Sequence, residues 1–394
     1  MIEPKLRFKA DDGSQFPDWE KKKLEDVVEF LDGQRKPLEA GQRVSGKYPY
    51  YGASGIIDYV EDYIFDEELI LLSEDGANIL DRNYRVCFLA KGKYWVNNHA
   101  HVLRAMDGNV NGFICEQLET FDYRKYNSGG AQPKLNQATC RAIIMNMPSL
   151  PEQQKIAEFL STIDTVIAKQ KETVSAWEER KKGVMQKLFS QEVRFKADDG
   201  SEFPEWEEKK LGECGRFYTG VGFSEKYQGH KGLDVDVYKV SDMNIVGNEK
   251  YMTLSNNTVD DSIVRQMKTK VITSKCLVFA KVGAAIYGER KRITTKPFLI
   301  DNNMMAFEPY SCLNIEYLHS WSCSVKFSQY AQVGALPSYN SSDIGIIKIH
   351  IPCLAEQQKI ADCLSSLDEV IEKQKATLAA WEELKKGLLQ QMFV

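Results

Sequence analysis

The chain has 394 residues, a formal net charge of −5, 43% hydrophobic and 27% charged residues, an ordinary globular composition long enough for two or three domains. It holds no apolar run long enough to cross a membrane as a helix, and its nine cysteines form no CxxC pair, which reads as reduced thiols and neither a disulfide framework nor a zinc site. The charged start MIEPKLRFKADDG lacks the apolar core of a signal peptide, so a cytoplasmic location is expected, and the acidic balance argues against coating a nucleic acid by bulk charge.

Self-similarity organises the chain. Residues 7–24, RFKADDGSQFPDWEKKKL, return at 194–211 as RFKADDGSEFPEWEEKKL, identical at 15 of 18 positions. Residues 148–189 return at 352–393, identical at 26 of 42 positions without a gap. The predicted order is a linker (1–23), a variable segment (24–147), a helix (148–190), the repeated linker (191–210), a second variable segment (211–351) and a second helix (352–394). The variable segments show no alignable similarity, so the frame is duplicated and the inserts are exchanged.

In the first variable segment, 69–72 (LILL) and 86–89 (VCFL) read as short buried strands. Turn signals at Asp32-Gly33, Ser45-Gly46, Asp75-Gly76, Asp107-Gly108 and Gly129-Gly130 separate such runs. The following helix is strongly specified. Pro151 suits its first position and Glu152 complements its positive terminus. Ile156, Leu160, Ile163, Ile167, Gln170, Val174 and Trp177 then alternate spacings of four and three, continuing through Lys181, Val184 and Leu188. That is a coiled-coil seam. In the second variable segment, 277–280 (LVFA) and 346–351 (IIKIHI) read as buried strands, with a turn at Gly247-Asn248. The last helix repeats the seam as Ile360, Leu364, Leu367, Ile371, Gln374, Leu378 and Trp381, then Lys385, Leu388 and Met392. Rods of ~35–39 residues would measure about 50–58 Å. A polar residue on the seam, Gln170 or Gln374, costs stability and fixes register. Gly183 and Gly387 weaken the last turns and mark a kink or fraying end. The matching seams favour antiparallel pairing of the two copies within one chain, the alternative being an intermolecular coiled coil. The fold class expected is α+β: two strand-rich globular domains separated by two long antiparallel coiled-coil helices, in an internal pseudo-twofold duplication.

Catalytic patterns are missing. The sequence has no GxxxxGK[ST] phosphate loop, HExxH, GxSxG or Asn-Pro-Pro-aromatic tetrapeptide. His99 and His101 alternate in WVNNHAH and would share one face of a strand. Without a third ligand they suggest hydrogen bonding before metal binding. The acidic clusters at 66–68 and 258–262 read as solvated turns. No catalytic residue and no metal site is assigned.

Two dissimilar domains between duplicated helices introduced by PSLPEQQKIAEFL and PCLAEQQKIADCL resemble the specificity subunit of type I restriction–modification enzymes. The loops SGGAQPKLN (128–136) and VGALPSYN (333–340) and the repeated W-E-x-K-K-L (Trp19 to Leu24, Trp206 to Leu211) are similar to the family's pattern. The resemblance implies that each variable segment is a target-recognition domain reading half of a bipartite site in double-stranded DNA. The paired helices would set the unread gap, ~50 Å being commensurate with about 15 base pairs. Two modification (methyltransferase) subunits would dock, with motor-nuclease restriction subunits added. S-adenosylmethionine, ATP and Mg would sit on those partners, none on this chain. The acidic charge then implies weak DNA binding by the subunit alone, partners supplying much of the phosphate neutralisation.

Side chains able to read bases on rigid loops are the candidates for DNA contact. In the first domain they are Lys47, Tyr48, Tyr50, Tyr51 and Ser54, then Lys91, Lys93, Asn97, Asn98 and His99, with Gln132 and Lys134 in the closing loop. In the second they are Lys239, Ser241 and Asn244 in a segment resembling a recurring family one, Lys281, the basic-aromatic cluster Tyr287, Arg290, Lys291 and Arg292, and Ser338 and Asn340. Two rivals stand beside this reading: a two-headed coiled-coil scaffold binding proteins, and a combined methyltransferase–specificity polypeptide, which the missing motifs disfavour.

Overall fold

The computed structural model describes residues 4–332, 334 and 336–393; Met1–Glu3, Val333, Ala335 and Val394, which fall in the predicted linker, closing loop and last helix, lie outside the described residues. The chain forms two compact units, Met1–Thr173 with Gln374–Val394, and Val174–Lys373.

In the first unit, strand Glu20–Lys23 pairs antiparallel with Ile144–Met147. A four-stranded antiparallel sheet has the order Val28–Phe30, Ala100–Ala105, Leu69–Ser73, Cys87–Ala90. The LILL run is fully buried because strand side chains alternate between two covered faces. Ile70 and Leu72 pack with Phe113 and Ile114 of helix Asn111–Glu119. Leu69 and Leu71 pack instead with Phe65, Tyr94 and Val96 of a second sheet, ordered Gly55–Val60, Ser45–Gly52, Lys93–Val96, Phe65–Asp66.

The second unit repeats the plan. Glu207–Lys210 pairs antiparallel with Lys348–Ile351. Its main sheet runs Gly215–Thr219, Met304–Pro309, Leu277–Ala280, Lys291–Thr294, Tyr251–Met252, with a three-stranded sheet of Thr258–Val259, Val235–Tyr238 and Phe298–Ile300. Helix Ile315–Ser324 buries Tyr317, Leu318 and Trp321 in the same core as Leu277 and Phe279. The variable segments therefore share a sheet and a following helix that their sequences do not disclose. The expected buried strand 346–351 begins only at Lys348; Ile346 is exposed, and Lys348–Ile351 alternates exposed and buried because it has one partner strand.

The long helices span Leu150–Phe189 and Leu354–Phe393, 40 residues each, or about 60 Å. Each starts at a leucine, so Pro151 is the second helical residue, and each runs through Gly183 or Gly387 without a break. Pairing is intrachain and antiparallel within each unit. In the first, Ile156, Leu160, Ile163 and Ile167 share a core with Leu378, Trp381, Leu388 and Met392. Gln170 donates from Nε2 to Gln374 Oε1 at 2.7 Å and to its main-chain oxygen at 3.0 Å. Lys385, also on the seam, is buried and ion-paired to Asp164 at 2.6 Å and Glu116 at 3.2 Å. In the second, Val184 and Leu188 pack with Ile360, Leu364 and Leu367, and Lys181 pairs with Asp368. Val174 and Ile371 are buried, and Trp177 is half-buried beside the Arg180 guanidinium.

The repeated linker and the EQQK motif are explained together. Glu152, fully buried, accepts from Arg7 Nε at 3.0 Å and Nη2 at 2.9 Å and from Trp19 Nε1 at 3.2 Å. Gln153 accepts from Val110 N at 3.1 Å, and Lys155 donates to Lys9 O at 2.9 Å. In the second copy Glu356 accepts from Arg194 at 3.1 and 2.9 Å and from Trp206 at 3.0 Å. Gln357 accepts from Asn314 N at 2.7 Å and Lys359 donates to Lys196 O at 2.7 Å. A carboxylate with no exposure must be paired and hydrogen-bonded to persist. The repeat thus preserves one clamp binding linker, helix start and globular domain.

Candidate nucleic-acid interface

In the first unit the candidates fall into two groups at opposite ends of the parallel pair Ser45–Gly52 and Lys93–Val96, where Tyr50 lies opposite Trp95. At its start, Lys47 lies 5.1 Å from the Tyr48 ring centroid, Tyr48 packs on Tyr63, and Lys93 lies 4.5 Å from the Tyr63 ring. Lys91 and Lys93 are tied to Glu68 at 2.8 Å and Asp66 at 3.8 Å. Six residues further along, about 20 Å at the strand rise, Ser54 tops the hairpin and Asn98 and His99 form the next turn.

The closing loop meets this second group. Leu135 N donates to Glu74 O at 2.7 Å, Gly76 N to Pro133 O at 3.0 Å, and Glu74 N to His99 O at 2.9 Å. The exposed side chains of Asn98, His99, Gln132 and Lys134 are thereby gathered around Glu74–Gly76, and the exposed Ser54 follows Ala53, whose carbonyl accepts from Ser73 Oγ at 2.5 Å. Lys134 pairs with Glu74 at 3.4 Å and His99 with Asp75 at 2.9 Å. Beneath lies a polar pillar that the sequence reading missed. Arg35 binds Glu74 and Ala100 O, both at 2.7 Å, and Asp32 accepts from Val102 N at 2.9 Å and Gln137 Nε2 at 2.8 Å. His101 is buried, with Nδ1 2.7 Å from Asp32 and Nε2 2.8 Å from Leu135 O. Burial alone would push its pKa down, but the hydrogen bond to Asp32 prevails and raises it to about 10. Asp32-Gly33 had read only as a turn, since nothing in the sequence shows which carboxylate a distant histidine meets. His99 lies in the turn before strand Ala100–Ala105, so the two histidines do not share a strand face.

The second unit docks its closing loop in the same way. Gly283 N donates to Pro337 O at 2.8 Å and Tyr339 N to Lys281 O at 3.2 Å. Gly76 and Gly283 both hold positive φ, at 109° and 77°, where glycine avoids a steric cost. Both loops end on an asparagine N-cap: Asn136 accepts from Thr139 N at 2.8 Å, and Asn340 from Ser342 N at 2.8 Å and Asp343 N at 3.1 Å. The Asn340 carbonyl is therefore committed to its helix. Lys281 and Ser338 stand at this loop, through Tyr339 N donating to Lys281 O and the Val282–Ser338 bridge, and Tyr287 is exposed in the turn Ala284–Gly288 that follows. Lys239, Ser241 and Asn244 lie in the turn Val240–Asn244 and its flank, held by the buried Asp242, which accepts from Lys239 N at 2.8 Å and Asn256 Nδ2 at 2.8 Å. Lys239 itself donates to Gln228 at 3.1 Å.

Three candidates are corrected. Tyr50 is 1% exposed, with Leu38 N donating to its hydroxyl at 2.9 Å. Asn97 is 4% exposed and accepts from His99 N at 2.8 Å. Lys291 is 2% exposed, its ammonium held by Glu289 and by Val325 O at 2.9 Å. Packing and internal hydrogen bonds consume these groups, which withdraws them from any surface role. The cluster at 287–292 is thus split: Tyr287 and Arg290 are exposed, Arg292 is half-buried, and burial pulls its pKa down. Tyr51 is half-buried against Tyr94. The acidic run at 258–262 is part strand and part helix cap, with Asp260 accepting from Ile263 N at 2.9 Å. No group of three or more potential metal ligands occurs among the described residues.

Comparison with known proteins adds the family signal. The model for the type I restriction modification DNA specificity domain matches residues 17–175 and again 204–380. The chain is similar to the type I restriction enzyme MjaVIII specificity subunit of Methanocaldococcus jannaschii, 25% identical over 419 residues, covering 97% of this chain and 94% of the relative. In fold it is similar to the type I restriction–modification S subunit from M. genitalium, with a TM-score of 0.61 and 14% identity over 100% of this chain and 99% of that one. It is also similar to a chain from a structure describing complex assembly and conformational transition of the type I R-M system, with a TM-score of 0.53 and 14% identity over 96% and 98%.

Proposed function

The chain belongs to the type I restriction–modification DNA specificity family, and from that membership we propose that it is the non-catalytic subunit directing a methyltransferase and endonuclease to a bipartite DNA site. Residues 24–147 and 211–351 act as target-recognition domains, each reading one half-site. The long helices set the gap between half-sites and, with the clamps at their starts, dock two modification subunits. S-adenosylmethionine belongs to those subunits, ATP and Mg to motor-nuclease subunits, and the complex works in the cytoplasm. No helix among the described residues is long and apolar enough to cross a membrane.

One observation carries the reading: an identical clamp and helix start frames two domains that share a sheet yet present different loop side chains. Ser54, Asn98, His99, Gln132 and Lys134 lie at the closing-loop end of the first, Lys281 and Ser338 at the closing loop of the second. Identical partners need repeated docking surfaces, whereas two different half-sites need two different sets of donors and acceptors. Methylation sequencing of a host producing this chain with a type I modification subunit tests it. A single bipartite methylated motif that disappears when this chain is omitted is expected; methylation independent of the chain contradicts it.

A further inference from the structure

Ion pairing separates the two variable regions. In residues 24–147, nine of thirteen Lys and Arg side chains form ion pairs: Arg35, Arg43, Arg82, Arg85, Lys91, Lys93, Arg104, Arg124 and Lys134. In residues 211–351, three of sixteen do so among the described residues: Lys250, Lys291 and Lys348. The imbalance concentrates in 262–300, with nine basic residues and one acidic residue, Glu289. Glu289 is already taken by Lys291 and by Phe327 N and Ser328 N at 3.0 and 2.8 Å.

Part of this stretch is assembled into one surface. Ile272 N donates to Phe298 O and Phe298 N to Ile272 O, both at 3.0 Å. That antiparallel bridge brings Lys296 level with Ser274 and Lys275. Lys270, Thr273 and Ser274 line a cleft of about 420 Å³ with Arg216 and Thr219 of the neighbouring edge strand. Arg216, Lys268, Lys270, Lys275 and Lys296 are all exposed and, among the described residues, form no ion pair. The carboxylate nearby, Glu308, is engaged by Tyr218 and Ser274; it stands opposite Arg216 in the strand pair and interacts with its charge without forming an ion pair among the described residues, so Arg216 is the least free of the five cations. Lys268 ends helix Asp261–Gln266 at φ 52°, a left-handed position where glycine would be the easier residue.

We propose that Arg216, Lys268, Lys270, Lys275 and Lys296 form the surface on which the second unit holds the phosphate backbone of duplex DNA, a proposal that rests on the reading of the chain as a DNA specificity subunit. Cations already paired to carboxylates must exchange one partner for another, whereas unpaired lysines release counterions from DNA at no such cost. Thr219 and Thr273 add hydroxyl donors suited to phosphate oxygens. Such contacts position the duplex and carry no sequence information. The non-specific, salt-dependent part of DNA affinity therefore resides in the second unit, and the first contributes little to it.

The test is a salt titration of the full chain on a random-sequence duplex, read by fluorescence anisotropy. Lys268→Gln, Lys270→Gln and Lys275→Gln together are compared with an equal charge change elsewhere, Lys36→Gln, Lys125→Gln and Lys169→Gln. The first triple is expected to flatten the slope of log K against log salt by about 2–3 and weaken binding at least tenfold near ~0.15 M salt, the control by less than one slope unit. Equal effects of both triples, or no effect of the first while the wild type binds, overturn the proposal and leave the DNA reading intact. Failure of the wild type to bind any duplex at low salt overturns both. Lys268→Gly, which relieves the left-handed backbone at that position, is expected to hold or raise Tm while weakening DNA binding; a fall in Tm would assign that lysine to the fold instead.

Discussion

Removing Arg7 tests the clamp that fastens the first long helix to its globular domain. Glu152 has no exposure and three charge-assisted or neutral donors, two from Arg7 and one from Trp19. Arg7→Met leaves the carboxylate buried with the indole N–H alone, the situation that costs about 3–5 kcal/mol. The guanidinium side chain keeps 17% exposure, which places the expected loss near the lower end, about 3 kcal/mol. For a cooperative unit of this size that is a fall in Tm of roughly 6–12 °C. Glu152→Gln removes the charge and keeps one carbonyl acceptor, while its amide nitrogen turns a donor toward the donors that the second carboxylate oxygen had served, and it should cost about 1–3 kcal/mol. Arg7→Met with Glu152→Leu removes both partners and should regain half or more of the single-variant loss, because neither charge is stranded. Urea unfolding of the full chain followed by tryptophan fluorescence, with calorimetry, measures these three and Glu152→Leu alone. An Arg7→Met variant within about 0.5 kcal/mol of wild type, or a double variant as unstable as the sum of the singles, would refute the clamp.

Three further outcomes follow from the same contacts. The raised pKa of His101, about 10 against an ordinary 6.5, means its contribution is complete below pH 6.5 and lost as pH rises through 10; the urea midpoints of wild type and His101→Gln should converge over that window, and a constant gap contradicts it. Replacing Gln170 and Gln374 together by Leu should raise the thermal midpoint, because two half-buried amides leave an apolar seam; a fall would show that they do not lie in one. Inserting four helical residues into both long helices adds about 6 Å, near two base pairs, so methylation sequencing should find a longer gap between unchanged half-sites; changed half-sites with the old gap would remove the helices as the spacer.

Periodicity made the helices legible, since the seam from Ile156 to Trp177 obeys a local spacing rule and its copy from Ile360 to Trp381 obeys the same one. The LILL and LVFA strands were legible because their burial on both faces leaves continuous apolar runs. What stayed hidden depends on partners far apart in sequence. Glu152 and Arg7 are 145 residues apart, and their repetition was visible while its purpose was not. The common sheet of the variable segments was hidden because strand pairing constrains backbone shape and burial, not residue identity. Candidate surface residues suffered most. Tyr50, Asn97 and Lys291 have the chemistry of DNA contacts, but a short hydrogen bond or an ion pair placed each inside. The lysines at 268, 270, 275 and 296, which form no ion pair among the described residues, are marked in the sequence by a 39-residue stretch with a single acidic residue, a charge-imbalance signal distinct from the aromatic-flanked 287–292.

The central claim is that each variable region reads its own half of a split site. Exchanging residues 211–351 for the corresponding segment of another family member, leaving both helices in place, and sequencing the methylated sites tests it directly. The account predicts that one half-site changes while the other half and the gap stay the same. Simultaneous change of both half-sites, or of neither, would contradict it.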